Sequence, residues 1–194
     1  MLVRDVMTTT VVTVQPELRV KQAIQLLHEH QITALPVVDR DGRLVGVLSE
    51  ADVLRGAVMP DRRTREIPVR TDGLTGPLLV GDVMTAQPMS VAADADLAAA
   101  AAVLVNTQIK SLPVLDDDRV VGVVSRRDVI AVLARSDTLI ESELKDLLRA
   151  AEIEAVVDVV DGVARLDGPT EPHAREIARV LAGTVPGVVG IVFV

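Results

Sequence analysis

The chain predicts a mixed α+β (α/β) protein built from two similar β-α-β-β-α half-modules packed as a pair and a smaller, different α-β-β-α-β unit. Three observations predict it. Sequence blocks return in register, the apolar period alternates between helix-like and strand-like in the same order in both copies, and the pattern changes after Ser136. Val3-Arg4-Asp5-Val6-Met7-Thr8 returns as Val80-Gly81-Asp82-Val83-Met84-Thr85. Leu35-Pro36-Val37-Val38-Asp39 returns as Leu112-Pro113-Val114-Leu115-Asp116, and Gly46-Val47-Leu48-Ser49-Glu50-Ala51-Asp52 as Gly122-Val123-Val124-Ser125-Arg126-Arg127-Asp128. Met7 to Met84 and Pro36 to Pro113 are 77 apart, and Asp52 to Asp128 is 76, so one residue is lost between Asp39 and Gly46. Self-similarity held at three blocks marks an internal repeat.

Each copy is read in the same order. After the Met-Thr turn comes a short extended piece, Val11 to Val14 and Met89 to Val91. A helix follows with apolar residues at Val20, Ala23, Ile24 and Leu27, and at Leu97, Ala100, Ala101 and Leu104, the spacing that buries one face. Two β-rich runs come next, Leu35 to Val38 with Leu44 to Leu48 and Leu112 to Leu115 with Val120 to Val124, joined by acidic turns with hairpin chemistry. A second helix opens at Ser49 and at Ser125. A unit this small cannot cover its own sheet, which favours pairing. The domains are therefore expected at 1–57 and 78–134, with 58–77, rich in Gly, Pro, Arg and Asp, as a linker.

The third unit is expected at 137–194. Ile140, Leu144, Leu147 and Leu148 predict a helix, Ile153 to Val160 a strand, Asp161-Gly162 a tight turn and Val163 to Leu166 its partner. Pro172 suits a helix's first turn. Ala174, Ile177, Ala178 and Leu181 give that helix its apolar face, and Val188 to Val194 forms a last strand.

Composition excludes several classes. The chain has 194 residues, net charge −8, no Cys, no Trp, no Tyr and one Phe. Without cysteine there are no disulfides or thiolate metal sites, which fits a cytoplasmic setting. The acidic balance and the lack of aromatics disfavour nucleic acid, which demands clustered cations and stacking platforms. No apolar run approaches the roughly 20 residues that cross a bilayer. With the repeat beginning almost at Met1, no targeting leader is expected.

The residues with chemistry sit where the second helices begin. Ser49-Glu50-Ala51-Asp52 and Ser125-Arg126-Arg127-Asp128 each follow a strand and open a helix. One reading is a capping box, with Ser and the acid three residues on satisfying each other's amides. The other uses the same place differently: the positive helix end attracts phosphate and the carboxylate accepts both hydroxyls of a ribose. The two readings are not exclusive. No enzyme reading stands beside them. His28 and His30 are two apart on a helix and point different ways, His173 is remote, Asp116-Asp117-Asp118 reads as a charged turn, and no phosphate-binding glycine loop occurs.

Together the Asp-Val-Met-Thr, Leu-Pro-Val-x-Asp and Gly-x-x-Ser-x-x-Asp blocks resemble the cystathionine β-synthase (CBS) domain, and the tandem copies resemble a CBS pair, or Bateman module, over residues 1 to about 134. The resemblance implies that a cleft between the halves binds an adenosine-containing ligand: AMP, ADP or ATP, with S-adenosylmethionine or NAD in the same class. Carried over by position, one site would use Ser49 and Asp52, with Thr33, Ala34 and Pro36 near the base and Val12 as apolar cover. The other would use Ser125 and Asp128, with Lys110, Ser111 and Pro113, and Met89 as cover. Arg126, Arg127 and Lys110 would neutralise phosphate at the second site. Glu50 would repel it at the first, so the second is expected to bind better. The resemblance also implies a homodimer.

The tail resembles the BON domain (bacterial OsmY and nodulation) through its element order, through Val159-Val160-Asp161-Gly162-Val163-Ala164-Arg165-Leu166-Asp167-Gly168 and through Val185-Pro186-Gly187-Val188-Val189. That family is linked to envelope lipids, yet this tail carries 11 acids against five bases, which disfavours an anionic membrane and favours a protein contact. The expectation is a non-enzymatic regulatory protein with an adenine nucleotide as regulatory ligand and no catalytic cofactor. The alternative is a structural adaptor with vestigial nucleotide sites, acting through the tail.

Overall fold

The computed structural model describes residues 1–57 and 78–194; the expected linker, 58–77, lies outside the described residues. Repeat 1 contains α1 (Val20–Glu29), β1 (Ala34–Val38), β2 (Leu44–Ser49) and α2 (Glu50–Ala57). Repeat 2 contains α3 (Val80–Val83), β3 (Thr85–Ala86), β4 (Val91–Ala92), α4 (Leu97–Asn106), β5 (Ser111–Asp116), β6 (Arg119–Ser125) and α5 (Arg126–Leu133). The long helices bury the expected stripes, Ala23 and Leu27 in α1 and Leu97, Ala100 and Leu104 in α4. Both hairpins are antiparallel, with Pro36 opposite Val47 and Pro113 opposite Val123.

The lost residue lies in the hairpin turn. In repeat 1 the Asp39 carboxylate accepts from Asp41 N and Arg43 N, each at 2.9 Å, and Gly42 takes φ +80°. In repeat 2 the shorter turn puts Asp117 in the left-handed region at φ +52°, which Asp tolerates better than most residues.

The halves are not self-contained, and the expected extended pieces pair only briefly within their own repeats. Val11 to Val14 contributes only a bridge from Val14 to Val37, and the strand near Met89 is Val91–Ala92, parallel to β5. The stretch just after each Met-Thr pairs with the opposite repeat instead. Thr8 exchanges two 3.0 Å hydrogen bonds with Val123 of β6, while Thr85–Ala86 pairs with β2. The side chains follow. Val3, Val6 and Met7 pack in the core of repeat 2 with Leu104, Leu112 and Val124; Val80, Val83 and Met84 pack in that of repeat 1 with Leu27, Leu35 and Leu48. A Cβ on Gly122 would lie 2.4 Å from Met7 Sδ, and one on Gly46 would lie 2.4 Å from Met84 Sδ. These glycines leave room for the exchanged methionines.

The tail has the expected element order: α6 (Asp137–Ala150), β7 (Val156–Val160), β8 (Val163–Asp167), α7 (Pro172–Thr184) and β9 (Gly190–Phe193). β7 and β8 are antiparallel, and β9 runs parallel to β8. Residues 153–155 precede the strand expected from Ile153, and α7 buries Ala178 and Ala182 while Ile177 is exposed. The Asp137 carboxylate receives Asp161 N at 2.9 Å and Gly162 N at 2.8 Å, tying α6 to the β7–β8 turn. Arg135, just past α5, donates to Pro186 O at 2.9 Å and pairs with Glu143 at 2.7 Å, docking the tail on repeat 2.

The exchange predicts a displaced effect of mutation. Val3 is fully buried in the repeat 2 core, so Val3→Ala should cost about 2 kcal/mol. Hydrogen exchange should show the lost protection in β5 and β6 and leave β1 and β2 nearly unchanged.

Candidate functional site

Two clefts open where the repeats face each other. One, of about 440 Å³, is bounded by Ser125, Arg126, Arg127 and Asp128; the other, of about 390 Å³, by Ser49, Glu50, Ala51 and Asp52. Both fall within the range of small-molecule sites. A narrow gap lined by Ala34, Pro36, Val47, Ser111, Pro113 and Val123 lies between them.

The capping geometry is present at both helix starts. Asp128 Oδ2 accepts from Ser125 N at 2.7 Å and from Ser125 Oγ at 2.6 Å. Asp52 Oδ2 accepts from Ser49 N at 2.9 Å and Ser49 Oγ at 2.6 Å, and Asp52 N donates to Ser49 Oγ at 3.3 Å. One carboxylate oxygen of each Asp is thereby engaged. Asp52 Oδ1 lies 3.6 Å from the exposed Arg55 guanidinium, whereas Asp128 Oδ1 takes no hydrogen bond from the described residues. An oxygen with two lone pairs at a helix start can accept a vicinal diol while the positive helix end faces an anion.

The structure groups the remaining residues across the repeats, unlike the positional carry-over. Val12 and Pro36 line the Ser125 cleft, and Met89 and Pro113 line the Ser49 cleft. The exchanged segments are the reason, since Thr8 is strapped to β6 and carries Val11 and Val12 over the Ser125 cleft. Thr33, Ala34, Lys110 and Ser111 line both clefts. Sequence reasoning missed Thr8, Thr10, Gln31 and Ile32 in one cleft and Arg55, Gln87, Pro88, Gln108 and Ile109 in the other. The 77-residue offset relates Thr10, Gln31 and Ile32 to Gln87, Gln108 and Ile109, a signal that could have found them as pairs.

The cations are not equivalent. Arg126 Nε donates to Leu104 O at 2.9 Å and an Nη to Thr107 O at 3.0 Å, so its guanidinium caps the carbonyl end of α4. Lys110, expected at the Ser125 site alone, places Nζ 3.0 Å from Glu50 Oε2. Among the described residues no group of three His, Asp or Glu is arranged to hold a metal, and no helix is long and apolar enough to cross a membrane.

Fold and clefts define a duplicated module with two quasi-equivalent binding cavities between its halves. The CBS domain model matches residues 3–58 and 80–135, and the chain belongs to the CBS domain family. It is 33% identical over 137 residues to the chloroplastic CBS domain-containing protein CBSX1 of Arabidopsis thaliana, covering 60% of this chain and 56% of that protein. The chain thus spans little more than half the length of that relative. The CBS domain-containing protein YhcV of Bacillus subtilis is 32% identical over 129 residues, 66% of this chain and 81% of its own. Among solved structures, CBSX2 in complex with AMP superposes with a TM-score of 0.57 at 31% identity, covering 67% of this chain and 94% of that one.

The cap has a measurable consequence without ligand. Asp128→Ala removes the acceptor for Ser125 N and should lower stability by about 1 kcal/mol, read as a lower urea midpoint with an unchanged slope.

Proposed function

We propose that this chain is a non-enzymatic regulatory protein that binds an adenosine-containing ligand, AMP, ADP or ATP in first place, in the clefts of its CBS pair. The observation that carries the reading is Asp128 Oδ1 at the start of α5, which takes no hydrogen bond from the described residues and lies beside a cleft of about 440 Å³ with apolar walls at Val12, Ile32 and Pro36. The base lies against those aliphatic groups, the ribose diol meets Asp128, and phosphate faces the α5 amides, Arg127 and Lys110. The likeness to CBSX2, whose structure holds AMP, supports the ligand class.

Binding favours one relative setting of the halves, and that population shift reaches a partner through the tail or a dimer contact. Exposed Leu54 on α2 and Ile130 and Leu133 on α5 support a homodimer. The tail, BON-like in element order and turn motifs, serves a protein contact, in keeping with its acidic surface. Cytoplasmic placement accords with the absence of cysteine.

Thermal unfolding followed by circular dichroism tests the reading with ATP, ADP, AMP, S-adenosylmethionine and NADH. At 100 times the dissociation constant a ligand adds about 2.7 kcal/mol, a rise of about 5–10 °C for a chain of this size. The rise should appear for an adenine nucleotide and shrink in Asp128→Ala, which leaves only the Ser49 cleft intact. A flat response at millimolar ligand would overturn the sensor and leave an adaptor with vestigial sites. Sedimentation should give a dimer at micromolar concentration; a monomer would contradict the proposed contact.

A further inference from the structure

The backbone symmetry of the two clefts is broken in charge at several pairs of equivalent positions, two of which bear on Lys110. Thr33 O receives Glu50 N at 3.0 Å, and Lys110 O receives Arg126 N at 3.3 Å, so Thr33 and Lys110 are structural counterparts, as are Glu50 and Arg126. Repeat 1 therefore offers a hydroxyl and an acid where repeat 2 offers two cations. The Ser125 cleft is lined by Lys110, Arg126 and Arg127 against Asp128 alone; in the Ser49 cleft Arg55 and Lys110 are balanced by Glu50 and Asp52. Lys110 lines both, and its ammonium group is held by Glu50 at 3.0 Å, with side-chain exposures of 64% and 45%.

We propose that Lys110 is a single cation for which the two clefts compete, and that Glu50 makes the Ser49 cleft selective for an adenosine ligand without a negatively charged 5′ group once the Ser125 cleft holds a phosphorylated one. This rests on adenosine binding as proposed above. In the empty protein Glu50 and Lys110 neutralise each other. A 5′-phosphate in the Ser125 cleft, already facing Arg127 and the α5 amides, draws Lys110 away from Glu50. The pair is half exposed, so it yields readily; such contacts change an equilibrium by about two- to five-fold. The uncompensated Glu50 carboxylate then stands at the first turn of α2, where a second phosphate would have to lie, and like charge opposes it. An uncharged 5′ group meets no such opposition. The two clefts thus take chemically different occupants, and phosphate in one lowers phosphate affinity in the other.

Isothermal titration of the full chain with AMP and with adenosine tests this on wild type, Glu50→Gln, Lys110→Ala and Asp128→Ala. Wild type should bind one AMP and then a second about five-fold or more weakly, with the tighter step lost in Asp128→Ala. Glu50→Gln should bring the two AMP steps to within about two-fold, and leave adenosine binding to the AMP-loaded chain unchanged. Lys110→Ala should weaken the first AMP step about two- to five-fold. Equal AMP steps in wild type, or a Glu50→Gln variant that keeps the wild-type ratio, would overturn the proposal while adenosine binding itself stands. If neither AMP nor adenosine binds any variant with an unchanged melting temperature, both the proposal and the reading beneath it fall.

Discussion

The structure depends on a reciprocal exchange. Each repeat lends its Met-Thr segment to the core of the other, Met7 over Gly122 and Met84 over Gly46. The exchange supplies core residues to both halves: Val3 and Val80 are each fully buried in the opposite cluster. It also fixes both clefts, because the residues after each exchanged Thr are laid across the opposite helix start. Thr8 on Val123 delivers Val12 to the Ser125 cleft, and Thr85 on Val47 delivers Met89 to the Ser49 cleft. Separating the halves would therefore open two cores and dismantle two sites at once.

Within that symmetric frame the parts that build structure are alike and the parts that set charge are not. The Ser-Asp pair at each second helix has nearly the same hydrogen bonds in both repeats, since each must satisfy the same orphan amides. The two residues inside each motif face no such demand and diverge, Glu50-Ala51 against Arg126-Arg127. Arg126 also has a structural task, because its guanidinium meets the carbonyl end of α4 at Leu104 and Thr107. Glu50, at the equivalent position, instead reaches across to Lys110. Divergence at one pair of equivalent residues thus gives a helix cap in one half and a bridge between halves in the other.

The order of elements was legible because hydrophobic period and turn chemistry are local. The Ala23–Leu27 and Ala100–Leu104 stripes, the acidic hairpin turns and Asp161-Gly162 need only near neighbours to be read. The partner of each exchanged segment was not legible, since spacing is the same whether Met7 packs in its own repeat or in the other. The carry-over therefore placed Val12 with Ser49 and Met89 with Ser125, when long-range pairing places each with the opposite motif. Long side chains escaped for a related reason: nothing around Arg126 in sequence announces Leu104 O, 22 residues away. In α7 the same limit appears in small, where Ile177 fits the helical stripe but Ala182 is the residue that close packing buries.

How the clefts are joined to the tail follows from α5. Its first turn carries Ser125 to Asp128, and Arg135 just beyond its last turn holds the tail through Pro186 O and Glu143. Eight helical residues span only about 12 Å, too short to bend appreciably, so the helix behaves as one rigid piece. The far contact is equally unforgiving. Gly187 sits at φ +97°, and a Cβ there would fall 2.7 Å from Ile140 Cδ1 and 3.2 Å from Val132 O, so the turn after α7 is fitted against both α6 and the end of α5. Such a joint leaves little slack for α5 to shift while the tail stays put. An occupant that repositions the start of α5 therefore has the tail's orientation within its reach, whereas α2, whose first turn meets the other cleft, makes no hydrogen bond or ion pair to the tail among the described residues. The cleft richer in cations is thus also the one mechanically joined to the third unit.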